Sequence, residues 1–253
     1  MGSRVDYAFL HGGGQGSWVW EETIAALREQ AWGACRTLAL DAPGCGVKRG
    51  RSKEDTGSAE IAAELVADIE AAGLEEVVLV GHSHAGTCLP LMLKLRPGLF
   101  RRAIYVSCLV PPPGQTTLGV FGSGRRGEVP GEIGWPIDRA AADRRRFFTA
   151  MFCNDMDSGQ RESFLDKLGH DDWPSRVMEE ADWRYDHLGA VPATYVVCLQ
   201  DQALPPEWQE TFARRVKAER IVRIDAGHQA MNTRPHALAE LLLHEAVRGA
   251  LGR

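Results

Sequence analysis

The chain has 253 residues, of which 44% are hydrophobic and 25% are charged, and its formal net charge is −5. These values are typical of one globular domain with a large core, and they exclude a disordered chain and a strongly basic nucleic-acid-binding protein. No apolar run reaches the ~18 residues that a membrane span needs.

Six short apolar runs predict β-strands, at Val5–Leu10, Arg36–Leu40, Val77–Val80, Ala103–Ser107, Thr194–Leu199 and Ile221–Ile224. Runs of this kind favour strands that are buried on both faces of a parallel sheet. Helical patterns lie between them, at Trp20–Gln30, Ser58–Ala72, Ala85–Lys94, Glu207–Lys217 and Arg234–Arg248. The alternation predicts a doubly wound α/β fold.

Three consecutive glycines, Gly12 to Gly14, follow the first predicted strand. Glycine allows the backbone to come close to a ligand and to adopt conformations that other residues avoid. The loop therefore suits a site at which backbone N–H groups contact a bound molecule, and we expect His11 to brace it.

The third predicted strand runs into Gly81-His82-Ser83-His84-Ala85-Gly86. A strand, a Gly-x-Ser turn and a following helix are typical of a nucleophile elbow, which lifts the serine hydroxyl above the carboxyl edge of a parallel sheet. Serine is a poor nucleophile unless a base takes its proton. The motif is weakly specific by itself, but it predicts an acid and a histidine further along the chain.

The chain has both residues in the required order. Asp201 follows the fifth predicted strand, and His228 follows the sixth. The order serine, aspartate, histidine matches the α/β-hydrolase triad and differs from the orders in chymotrypsin and subtilisin. Asp225 lies in the strand before His228 and is a poorer candidate for the acid, and the end of the fourth strand offers Ser107 instead of a carboxylate.

Acyl transfer places negative charge on the carbonyl oxygen of the substrate, and losing one preorganised N–H donor to that oxygen costs ~3 kcal/mol. We expect two backbone donors in an oxyanion hole. One is the N–H of His84, which directly follows the nucleophile, and the other is the N–H of Gly13 in the glycine loop.

Residues 111–190 interrupt the alternation of strands and helices. This segment opens with three prolines, carries helical patterns at Arg139–Met151 and Ser158–Leu168, and holds no convincing strand. We interpret it as a helical cap inserted into a core of residues 1–110 and 191–253, with some of its aromatic side chains facing a ligand. The candidate substrate-binding residues are Gly12, His84, Phe152, Trp183 and Gln229.

The six cysteines lie mostly in or beside apolar runs, as buried thiols do in a reducing compartment. The first predicted strand begins near Met1, with no signal segment before it. We therefore expect a cytoplasmic protein without nucleic-acid or membrane partners, and a homodimer is left open. No H-E-x-x-H or paired Cys-x-x-Cys motif occurs, so we expect neither a metal nor a cofactor.

These motifs resemble the α/β-hydrolase superfamily and, within it, the plant methylesterase and hydroxynitrile lyase group with its salicylate-binding-type esterases and bacterial relatives. The matching segments are His11–Gly13, Gly16–Trp20, Leu40–Gly46, Leu79–Ser83, Pro192–Cys198, Asp201–Pro205 and Gly227-His228. The resemblance covers nearly all of the predicted core, whereas the cap matches poorly. It implies six parallel strands in the order 2-1-3-4-5-6, with Ser83 as nucleophile, His228 as base and Asp201 as orienting acid.

The lyases of this group carry a lysine just after the catalytic histidine and a threonine in the oxyanion loop, where this chain has Gln229 and Gly12. Because cyanide handling needs a cation near the leaving group, the lyase interpretation is disfavoured. His84 stands where relatives commonly have an apolar residue, which leaves open whether it contacts the ligand or only packs.

The leading hypothesis is a serine hydrolase that forms an acyl-enzyme on Ser83. Its substrate would be a carboxylic ester of a mid-sized apolar small molecule, with methyl esters, thioesters and lactones included. A cyclase, an acyltransferase, a cofactor-free lyase and a non-catalytic ligand receptor on the same fold are the alternatives.

Overall fold

The computed structural model describes residues 4–51 and 56–248 of the chain. Its centre is a sheet of six parallel strands in the order β2-β1-β3-β4-β5-β6, as predicted. The strands are β1 (Val5–Leu10), β2 (Cys35–Leu40), β3 (Val77–His82), β4 (Phe100–Val106), β5 (Ala193–Cys198) and β6 (Arg220–Ile224). β3 extends two residues beyond its predicted end, so the strand runs directly into Ser83.

Helices flank both faces of the sheet. Over the described residues they are α1 (Glu21–Gln30), α2 (Ser58–Ala71), α3 (Leu89–Leu95), α4 (Thr117–Phe121), α5 (Arg144–Phe152), α6 (Ser158–Lys167), α7 (Pro206–Arg215), α8 (Ala230–Thr233) and α9 (Pro235–Val247). Leu79 and Tyr105 pack into an apolar cluster with α2, α3 and α7. Val80 and Val106 point to the opposite face and pack with α1 and α9. Alternate side chains of each strand are therefore buried on both faces, which explains the near-continuous apolar runs.

The helix predicted at Ala85–Lys94 is two elements in the structure. Ser83–Thr87 form a 3₁₀ turn, and α3 begins only at Leu89, with Pro90 in its first turn. Proline has no N–H, so residue 90 cannot donate the backbone hydrogen bond that a continuous α-helix through Gly86 would require. The prediction was therefore wrong in detail at this point.

The segment between β4 and β5 carries α4, α5 and α6, and its described residues contain no strand beyond an isolated bridge between Arg125 and Trp135. α5 starts five residues later than predicted because the extended residue Asp143 caps it, accepting a hydrogen bond from the N–H of Arg146. The division into a core and a cap at residues 111–190 stays a prediction.

The strand register brings four loops to one edge of the sheet. Leu10 of β1 pairs with Gly81 of β3, His82 of β3 pairs with Val106 of β4, and Val106 pairs with Val196 of β5. The loops that follow these strands therefore leave the sheet side by side, where ligand sites of open α/β folds usually lie. No helix within the described ranges is both long and apolar enough to cross a membrane.

Candidate active site

Ser83 lies at a sharp turn between β3 and the 3₁₀ turn, with a backbone φ of 52°. Residues other than glycine rarely adopt this backbone conformation, and it is typical of the serine in a nucleophile elbow. The neighbours must be small for the turn to fit. A Cβ on Gly81 would lie 2.7 Å from a methyl of Leu89, and a Cβ on Gly12 would lie 2.9 Å from the Cβ of Ser83.

A continuous hydrogen-bond relay joins the three predicted catalytic residues. The Oγ of Ser83 lies 3.0 Å from His228 Nε2, and His228 Nδ1 lies 2.7 Å from Asp201 Oδ2. Because a carboxylate only accepts hydrogen bonds, the proton of the neutral imidazole is on Nδ1, and Nε2 is free to accept the serine proton. Asp225 is exposed and accepts a hydrogen bond from Gln200, which excludes it from this relay.

Asp201 is held from its other side by the loop that carries it. Its Oδ1 accepts hydrogen bonds from the backbone N–H groups of Ala203 and Leu204, at 2.7 and 2.8 Å. The side chains of Asp201 and His228 are almost completely buried. Their pairing therefore takes place out of bulk water, where a fixed carboxylate orients the imidazole strongly.

Two buried histidines support the backbone around the relay. Burial lowers the pKa of His82 well below its ordinary value, so the ring is neutral, and its Nε2–H donates to the carbonyl of His228 at 2.9 Å. The Nδ1–H of His11 donates to the carbonyl of Gly12 at 2.8 Å, and its Nε2 accepts from the N–H of Ala42. His11 thus braces the glycine loop, as expected.

Gly13 and His84, the predicted oxyanion donors, lie next to each other beside Ser83. Both line the same cavity as the nucleophile, and a Cβ on Gly13 would meet the Cβ of His84 at 3.8 Å. Their role as oxyanion donors stays a prediction.

A mostly apolar cavity of about 210 Å³ opens over Ser83 and His228. Its aromatic lining comes from the segment between β4 and β5, with Phe121, Trp135, Phe147, Phe148 and Phe152. Phe152 was predicted to bind substrate, and its ring stacks against that of His228 at a centroid distance of 5.3 Å. The cavity therefore suits the apolar part of a small molecule.

His84 adds a polar side chain to this lining. Its ring is 6% exposed, it meets Trp173 edge-on at 4.8 Å, and its Nε2 has no hydrogen-bond partner among the described residues. Burial lowers the pKa of His84 to about 4, with a further contribution from His11, so the ring is neutral near pH 7. The ring both packs and reaches the cavity.

Three predicted substrate-binding residues do not line this cavity. Trp183 lies in a separate cavity with Tyr185 and Pro90, where its indole N–H donates to the carbonyl of Gln115. Gly12 lies behind the nucleophile, where its role is to let the loop approach Ser83. Gln229 is fully buried outside the cavity lining. The structure therefore does not bring these three residues to the cavity over Ser83, because neighbours along the chain do not fix the direction of a side chain, and their role in binding substrate stays a prediction.

Sequence reasoning missed the contacts that join the loop between α5 and α6 to the catalytic loops. Asp155 Oδ2 accepts hydrogen bonds from the N–H of Gly227 and the hydroxyl of Thr233, both at 2.8 Å. The neighbouring Asn154 donates to the carbonyl of Gln200 at 2.9 Å. These two side chains therefore position the loops that carry His228 and Asp201. Nothing local in the sequence marks them, apart from their being adjacent polar residues in an aromatic segment.

Three of the buried histidines, His11, His82 and His84, lead us to expect a loss of stability in mild acid. Burial lowers the pKa of His11, His82 and His84, whereas a histidine in the unfolded chain titrates near 6.5. Below that pH the unfolded state binds protons that the folded state excludes, so the free energy of unfolding falls with pH, by up to about 1.4 kcal/mol per pH unit and histidine. We expect urea unfolding to show this decline between pH 6.5 and 5, above the range in which carboxyl groups titrate.

His84→Leu should make that decline shallower, because it removes one of the three groups. His236→Leu is the matched control, since His236 is exposed, and it should leave the slope unchanged. Equal slopes in the wild type and in His84→Leu would contradict the prediction.

A family model described as the alpha/beta hydrolase family matches residues 8–241. The chain is 26% identical over 258 residues to "Putative methylesterase 11, chloroplastic" from Arabidopsis thaliana, covering 95% of this chain and 63% of that relative. It is 25% identical over 248 residues to a carbendazim hydrolyzing esterase from Nocardioides sp. (strain SG-4G), covering 94% and 98% of the two chains. The chain thus spans less than two thirds of the Arabidopsis methylesterase but almost all of the bacterial esterase.

Two solved structures have the same fold. One is polyneuridine aldehyde esterase, with a TM-score of 0.74 at 20% identity, covering 96% of this chain and 99% of that chain. The other is a pyrethroid hydrolase, with a TM-score of 0.75 at 19% identity, covering 97% and 99%. At these identities the likeness concerns the fold.

Proposed function

The chain belongs to the alpha/beta hydrolase family, and from this membership and the relay at Ser83 we propose that it hydrolyses carboxylic esters. The observation that carries the proposal is the relay from Ser83 through His228 to Asp201 under an apolar cavity. The methylesterase and esterase names of its relatives support the same reaction class.

In the proposed reaction, Ser83 Oγ attacks the carbonyl carbon of the ester while its proton passes to His228 Nε2. Asp201 stabilises the imidazolium that forms, and the N–H groups of Gly13 and His84 donate hydrogen bonds to the oxyanion of the tetrahedral intermediate. The C–O bond to the alcohol then breaks, and His228 returns the proton to the leaving oxygen. A water molecule then loses a proton to His228 and attacks the acyl carbon, and His228 returns that proton to Ser83 Oγ as the acyl bond breaks and the acid is released.

We propose that the substrate carries an aryl or branched apolar acyl group. Five aromatic rings line the cavity, and burying apolar surface is worth about 25 cal/mol per Å². Methyl esters, thioesters and lactones all contain the carbonyl that this chemistry needs. A cytoplasmic location is part of the proposal, because the cysteines lie mostly in or beside apolar runs, as buried thiols do in a reducing compartment.

Labelling with a fluorophosphonate probe tests the activated serine. We expect the wild-type protein to form a covalent adduct at Ser83, detected by intact-mass and peptide mass spectrometry, and Ser83→Ala to form none. An unlabelled wild type would favour the non-catalytic receptor. A labelled protein that turns over no member of a methyl-ester, thioester and lactone panel would favour the acyltransferase or lyase alternatives.

The aromatic lining predicts a preference among acyl groups. We expect kcat/KM for methyl phenylacetate to exceed that for methyl acetate by at least about tenfold, which corresponds to about 1.4 kcal/mol of apolar contact in the transition state. Phe147→Ala should reduce this ratio, because Phe147 lines the cavity without touching the relay. Initial rates on both methyl esters give the ratio.

Trp183→Phe is the matched control, because Trp183 lies in the separate cavity and its replacement should leave the ratio unchanged. Equal kcat/KM values for the two esters in the wild type would show that the aromatic lining does not select the acyl group.

A further inference from the structure

Ser107 directly follows β4, is fully buried and lies next to the acid of the relay. Its Oγ is 2.5 Å from Asp201 Oδ2 and 3.3 Å from His228 Nδ1. The serine, the acid and the histidine follow three different strands, so their meeting is a property of the fold rather than of a local turn. Nothing in the reaction described above uses this hydroxyl.

The direction of these hydrogen bonds follows from what each atom can do. Asp201 Oδ2 only accepts, so the hydroxyl proton of Ser107 points at the carboxylate. The lone pairs of Ser107 Oγ then face the Nδ1–H of His228. Oδ2 accepts from both Ser107 and His228, and Gln209 Nε2 approaches it at 3.3 Å, while Oδ1 is held by two backbone N–H groups.

We propose that Ser107 is a positioning residue of the relay, an inference that rests on the proposed ester hydrolysis. Its hydroxyl fixes the rotation of the Asp201 carboxylate so that Oδ2 faces Nδ1, and it offers Nδ1–H a second acceptor. The imidazole is thereby kept in one tautomer and one orientation while Nε2 moves the proton between Ser83 and the leaving oxygen.

The backbone conformation of Ser107 favours the positioning role over a merely structural one. Its φ of 42° lies in the left-handed region, which glycine adopts at no steric cost. If the position only had to form a turn, glycine would serve it better than serine. Serine at this φ is accounted for by the hydroxyl that it brings to Asp201.

The test is the variant Ser107→Gly, which removes the hydroxyl and relieves the backbone. We expect kcat for a methyl ester to fall about tenfold to a hundredfold, as for losing a hydrogen bond to a charged group, with KM within twofold and Tm equal or higher. Ser58→Ala is the matched control, because Ser58 is a buried serine at the start of α2, outside the lining of the cavity, and it should leave kcat unchanged.

A proton NMR measurement needs no substrate. In the phosphonylated enzyme the Nδ1–H of His228 should give a low-field resonance. Removing the Ser107 hydroxyl should shift this resonance, because the hydroxyl contacts both Asp201 Oδ2 and His228 Nδ1.

Wild-type kcat in Ser107→Gly together with an unmoved resonance would overturn the inference. A fall in kcat that is matched by a fall in Tm, with the resonance unmoved, would overturn it as well, since it would indicate a structural role. Failure of the proposed function looks different: the wild type itself would then neither react with the fluorophosphonate nor turn over any ester.

Discussion

Ser83→Ala and His228→Ala are each expected to lower kcat for a methyl ester by about 10⁵- to 10⁶-fold, as losses of the nucleophile or base do in other serine hydrolases. The serine hydroxyl reacts only while His228 Nε2, 3.0 Å away, takes its proton. Because the two residues act as one proton-transfer unit, the double variant should be no slower than either single variant. Single-turnover rates at high enzyme concentration measure such small residual activities.

The control variants replace a serine and a histidine at positions outside the relay. Ser58→Ala and His236→Ala should retain wild-type kcat, because neither side chain contacts the cavity or the relay. A residual rate above 1% of wild type in Ser83→Ala would show that another group initiates the reaction, and the acyl-enzyme mechanism would then be wrong.

Asp201→Asn is expected to lower kcat by about 10³- to 10⁴-fold, less than loss of the serine or histidine. The asparagine amide keeps the shape of the side chain but carries no charge to stabilise the imidazolium. It also allows an N–H to face His228 Nδ1, which favours the wrong tautomer. Steady-state kcat and KM for one methyl ester measure the effect, with KM expected to change little.

Asp225→Asn distinguishes the two candidate acids in the same assay. Asp225 is exposed and bonded to Gln200, so its replacement should leave kcat unchanged. If Asp225→Asn abolished turnover while Asp201→Asn did not, the assignment of the acid would have to be reversed.

The strand order and the three relay residues could be predicted because each depends on a short, regular signal. Apolar runs that are buried on both faces mark the parallel strands, and residues just beyond their carboxyl ends must meet at one edge. Ser83, Asp201 and His228 all occupy such places. Their meeting follows from the topology alone, without knowledge of any loop conformation.

The lining of the cavity could not be predicted in the same way. Phe152 and Trp183 are both aromatic residues of one irregular segment, yet one lies over His228 and the other in a separate cavity. Which way such a residue points depends on how the segment packs on the core, and no periodicity reports that. Ser107 was passed over because a serine at a strand end was weighed only as a missing carboxylate.

The contact between Asp155 and Gly227 has a consequence for exchanging the segment between β4 and β5 among related hydrolases. A Cβ at position 227 would lie 2.3 Å from Asp155 Oδ1 and 2.8 Å from Asn154 Oδ1, so any larger residue there would displace this pair. A donor segment chosen for a new acyl preference would therefore have to bring an equivalent Asn-Asp pair with it. The acyl preference and the position of the catalytic base therefore depend on the same segment. A chimera designed from the shape of the cavity alone would lose the hydrogen bond from Gly227 to Asp155 that holds the loop of His228.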